Sequence, residues 1–151
     1  MVDDKKIIDV TGAELKRPYI VRFIRADGAP IEEYFYEQRA DADQHLNMFC
    51  DDDSGLYKRI AILNDETRTV ERVLVFVDGK LRMDLCDHDV VRLRSGYRKP
   101  EEARYLFSVS NIHEEFGRCL ITPINDGLPL PSSESVGLEM VDRVCSQKDM
   151  Q

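Results

Sequence analysis

The sequence predicts an α+β fold: a mainly antiparallel β-sheet opening in the order β-β-α-β-β-β, one helix packed on it, and a second helix near the C-terminal end. Three observations carry this prediction. β-like segments are joined by short Gly-containing turns, ADGAP at 26–30 and DG at 78–79, which favour hairpins. In the N-terminal half, one stretch, RADADQHLNMFC at 39–50, repeats its apolar residues at helical spacing. The 151 residues are 42% hydrophobic and 33% charged, enough for one core and a solvated surface.

Residues 1–17 are mixed and polar and read as an extended lead-in; 18–151 read as a single α+β domain, with a subdivision allowed near 95–100. PYIVRFIR (18–25) is apolar on both faces, as expected of a strand inside a sheet. IEEYFYE (31–37) completes a first hairpin. In the helix, Ala42, Leu46, Phe49 and Cys50 form one stripe, and His45 borders it. The helix is expected to stop in DDDSG with Gly55 as its C-terminal cap. Three acids at that end oppose the helix dipole at a cost of a few tenths to ~1 kcal/mol.

LYKRIAILN (56–64), DETR and TVERVLVFV (69–77) read as a second hairpin, and KLRMDL (80–85) as a third paired strand. VVRLR (90–94), ARYLFSVS (103–110) and EFGRCLITPI (115–124) are further strands, with SGYRKP as the break that marks the subdivision. LPLPSS is a rigid connector. Its serines can cap a last helix, SESVGLEMVDRV, with Val136, Met140 and Val144 on one face and Gly137 weakening it.

Charge and composition limit the functions. The opening MVDDKKIIDV is no signal peptide, and no window approaches a membrane span, so the expectation is a soluble, cytoplasmic protein without membrane contact. Cys50, Cys86, Cys119 and Cys145 form no CxxC pair, which leaves neither a zinc ribbon nor a thioredoxin-like site, and free thiols are expected. The net charge is -8, and residues 32–53 hold eight acids against the single base Arg39. Such a surface repels phosphate backbones, so direct nucleic-acid binding is disfavoured.

DLCDHDVVRLR (84–94) places His88 between Asp87 and Asp89. On one extended strand the two aspartates would share a face with Leu81, Met83 and Leu85, and His88 would point away. A turn at 86–89 is the simpler solution, with aspartates bonding nearby backbone N–H groups. A metal site would need Asp87 and His88 joined by His113 and Glu114 of NIHEEF. HEEF is not HExxH, since residue 117 is Gly, and DDDSG fails the EF-hand pattern, with Gly55 and Ile62 at loop positions 5 and 12. Phosphate-binding glycine loops and nucleophile-elbow motifs are absent. RLRSGYRKPEEAR carries five bases around Tyr97, diluted by two glutamates, and reads as a solvated loop.

The first functional expectation is therefore a non-enzymatic interaction protein without a cofactor, whose acidic surface over 32–53 docks a basic protein through Glu32, Glu33, Asp41 and Asp43. Tyr34 and Tyr36 share a strand face with Glu32 and supply aromatic anchors. The first alternative is a metal-dependent hydrolase using Asp87, His88, His113 and Glu114. The second is a self-associating structural module, a homo-oligomer.

Overall fold

The computed structural model describes residues 7–8, 14–97, 105–124 and 133–145. Within the stretch expected to be a lead-in, β1 (Ile7–Ile8) and β2 (Glu14–Leu15) pair as a short antiparallel ladder. The first large sheet holds β3 (Tyr19–Arg25), β4 (Glu32–Tyr36), β5 (Tyr57–Asn64), β6 (Thr69–Val77) and β7 (Lys80–Cys86), in the order β4-β3-β5-β6-β7, antiparallel throughout. Helix α1 (Arg39–Asn47) connects β4 to β5, so the expected β-β-α-β-β-β order is present. Asp78 and Gly79 both adopt positive φ, the two-residue turn whose twist matches a hairpin.

β8 (Val90–Leu93), β9 (Phe107–His113), β10 (Arg118–Pro123), β11 (Glu134–Gly137) and β12 (Val141–Cys145) form a second antiparallel sheet, in the order β11-β10-β9-β8-β12. The chain is thus β-rich, with two five-stranded sheets where one sheet was expected. Of the stretch where a subdivision was allowed, Ser95–Tyr97 makes one 3-10 turn, and residues 98–104 lie outside the described residues. β8, just before that stretch, pairs with β9 and β12 after it. The connector at 128–132 also lies outside them.

The first sheet is buried on both faces, which explains the unbroken apolar runs in β5 and β6. Val21, Phe23, Ile60, Ile62, Leu74 and Phe76 pack under Ala42 and Leu46 of α1. On the other face, Ala61, Val73, Val75, Met83 and Leu85 meet Phe107, Val109, Ile121, Val136 and Leu138 of the second half. Each fully buried aliphatic or aromatic side chain contributes about 1.5–3 kcal/mol.

Two expectations near element ends are corrected. SESVGLEMVDRV is not a helix: it forms β11, a 3-10 turn at Leu138–Met140, and β12. Val136 is buried opposite Cys119 on β10, and Leu138 is buried two residues on, so the segment pairs with a sheet that its local periodicity does not reveal. α1 also ends earlier than expected. Beyond Asn47 the backbone N–H groups of Met48, Phe49 and Cys50 donate three residues back, so the chain unwinds in tight turns. Gly55, with φ +74, lies in the connection to β5 and not at a helix cap.

Candidate functional site

The CDHD turn links β7 to β8, with its two aspartates in different roles. Asp89 is buried, and its Oδ2 accepts from the Cys86 backbone N–H at 2.7 Å and from Arg143 Nε at 2.8 Å. It ties the turn to β12. His88 sits at φ +68 with its side chain exposed and its Nε2 3.3 Å from Asp87 Oδ2. Burial pushes the Asp87 carboxyl above its ordinary range, against the pull of His88, and its Oδ1 is buried without a hydrogen-bond partner.

The other two candidate ligands lie elsewhere. The His88 backbone N–H donates to the carbonyl of Val109, whereas His113 closes β9 four residues on, about 13 Å along an extended strand. Glu114 is buried in the β9–β10 turn and accepts from Arg22 Nη1 at 2.8 Å. The structure therefore brings Asp87 to His88 and separates that pair from His113 and Glu114. Among the described residues, no group of three or more His, Cys, Asp or Glu side chains could hold a metal ion.

The acidic segment 32–53 divides across the first sheet. Arg22 and Glu33 are cross-strand partners, bonded at 2.9 Å on the face away from α1. Asp43 is held by Arg39 and Arg72 on the helix side. Arg72 also grips both oxygens of Asp84 and bonds Asn47, and these contacts, Asp84 first, outweigh burial and raise its pKa. Glu33 and Asp43 thus serve as internal fasteners. Glu32 and Asp41 remain exposed, Glu32 accepting from the Tyr34 hydroxyl at 3.0 Å.

Tyr34 and Tyr36 do share a strand face with Glu32, the one toward α1. There they join an aromatic stack around His45. Tyr34 meets the imidazole edge-on at 5.0 Å between ring centres, and Tyr36 Oη hydrogen-bonds His45 Nδ1 at 2.8 Å. Phe23 and Phe49 lie beneath, 4.9 Å apart. Burial among these rings lowers the His45 pKa. Asp41, His45 and Met48 follow one helical line beside the edge strand, with Met48 77% exposed and Tyr34 43% exposed. Among the described residues, β4 is hydrogen-bonded only on its β3 side.

A groove of about 430 Å³ opens between the β5–β6 turn and the β9–β10 turn. Its floor includes Arg22, whose guanidinium also bonds Glu115. Spacing alone did not single out Arg22 or the His45 stack. The signal available was a lone cation inside the two-faced apolar run IVRFI, which demands a partner.

Comparison with family models, curated proteins and solved structures yields no match to this chain, so no relative assigns a role to any residue.

Proposed function

We propose that this protein is a non-catalytic interaction module that binds a basic, extended segment of a partner protein along the outer edge of β4 and the adjoining side of α1. The carrying observation is the aromatic stack that surfaces at Tyr34, whose hydroxyl bonds the exposed carboxylate Glu32, with exposed Asp41 one helical turn before His45 and a strand edge without a described neighbour. An open edge offers a row of N–H and C=O groups to an added strand. The exposed ring and Met48 supply apolar anchors, and the carboxylates select positive charge. A second copy fits less well, because it would bring the same carboxylates together. The hydrolase alternative has no comparable support, its four side chains lying in two separate places.

The test uses an octapeptide of alternating Lys and Val, followed by fluorescence anisotropy at low salt. Tyr34→Ala should weaken binding roughly tenfold, as loss of an aromatic anchor does. Glu32→Gln with Asp41→Asn should weaken it most at low salt, where screening is least. Equal affinity for wild type and Tyr34→Ala would remove the proposal.

A further inference from the structure

We infer that His45 makes the β4-edge site acid-releasable: a proton on its imidazole puts a cation under the Tyr34 anchor and weakens the hold on a basic segment. The device rests on the β4-edge reading and supplies its regulation. The half-buried His45 ring is enclosed by other rings. Tyr34 stands edge-on at 5.0 Å, Phe23 is tilted at 5.3 Å, Tyr36 lies at 5.8 Å and Phe49 at 5.9 Å between centres. Nδ1 shares a 2.8 Å hydrogen bond with the Tyr36 hydroxyl. A neutral imidazole makes that bond in either direction, whereas an imidazolium can only donate it. The bond therefore survives protonation, and the change that matters is the charge.

That charge has no counter-ion in contact. Among the described residues no carboxylate pairs with the imidazole. The titratable groups around it are phenols: Tyr34 and Tyr36 on β4, Tyr19 beside Tyr36 on β3, and Tyr57 on β5 against Phe23 and Phe49. Arg25, at the end of β3, is paired with Asp27, and Asp43 of α1 with Arg39 and Arg72. Glu32 is bonded to the Tyr34 hydroxyl, and Asp41 lies one helical turn before His45. The last turn of α1 favours a cation, but burial outweighs it and lowers the His45 pKa. The ring is therefore neutral at pH 7. As pH falls below the ordinary histidine range, the closed stack takes up the proton less readily than an opened one, so acid favours opening. A bound basic segment brings positive charge to the same place. Proton and segment thus weaken each other, and linkage makes the effect reciprocal: the segment lowers the His45 pKa further.

The probe is the alternating Lys-Val octapeptide, bound to the full chain and followed by fluorescence anisotropy at about pH 7.5 and about pH 5.5. Wild-type affinity should fall about threefold or more between the two, as expected for one charge added within about 8 Å of a bound lysine. His45→Gln cannot ionise at this position, offers the Tyr36 hydroxyl a polar partner, and retains His88, His113 and every carboxylate. Read against its own affinity at the higher pH, it should lose less than about half as much as wild type. A second measurement needs no variant. The wild-type imidazole resonance of His45, assigned through its contacts with the Tyr34 and Tyr36 rings, should titrate below about 6.5, and lower still with peptide bound. An equal loss in wild type and His45→Gln, or a His45 pKa at or above about 6.5, would overturn the device and leave the edge site standing. No peptide binding to wild type at the higher pH would overturn both, so the two failures are told apart.

Discussion

Asp89 offers a quantitative test of whether the CDHD turn is a fastener. In Asp89→Ala the Cys86 backbone N–H, part-buried and now bonded at 2.7 Å, loses its acceptor. An orphaned donor of that kind costs about 1–3 kcal/mol. The Arg143 bond adds less, because that side chain is 41% exposed and recovers hydration, so its share is below about 1 kcal/mol. The total is about 1–4 kcal/mol, or about 2–16 °C in Tm for a chain of this length. Asp89→Asn keeps an oxygen for the Cys86 N–H and should cost only about 1 kcal/mol. Urea denaturation at pH 7, read at constant slope, resolves these differences. Losses below about 0.5 kcal/mol for alanine, or equal losses for both variants, would refute the fastener role.

Other outcomes follow from the same geometry. Burial raises the Asp87 carboxyl, so the folded protein holds that proton more tightly than the unfolded chain, and Asp87 costs stability above its folded pKa. Asp87→Asn should be at least as stable as wild type at pH 7, with the difference shrinking as pH falls through the carboxylate range; thermal melts at pH 4 and pH 7 check this. Gly117 adopts φ +64, and an added Cβ would lie 2.9 Å from Arg59 Nη1. Gly117→Ala should therefore lose about 1–2 kcal/mol, seen as a Tm drop of about 2–8 °C by calorimetry. Cys119 is buried on β10, and burial pushes its thiol up to about 11. At pH 8 it should resist a thiol reagent until the protein unfolds, as peptide mass spectrometry would show.

Local patterning revealed much of the first sheet. Turn residues at 26–30 and 78–79 and the two-faced apolar runs locate its hairpins, and the Ala42–Leu46 spacing locates α1. The C-terminal segment misled because Val136, Met140 and Val144 also fit a helical face, while the pairing of β11 with β10 depends on a strand more than ten residues away. The candidate sites were less legible for the same reason. Arg22 meets Glu114 and Glu115 across 92 and 93 residues of chain, and no spacing rule anticipates such contacts. The acidity of 32–53 was visible, but its division was not. Glu33 and Asp43 face cations on opposite sides of the sheet, leaving Glu32 and Asp41 exposed.

The most direct test of the proposed interaction function is an amide-shift map recorded while the alternating Lys-Val octapeptide is titrated into the full chain. A strand added at the edge predicts the largest shifts from Glu32 to Tyr36 and at His45, with outward-facing β4 amides newly protected from hydrogen exchange. Shifts scattered over the acidic surface, with β4 exchange unchanged, would contradict the account.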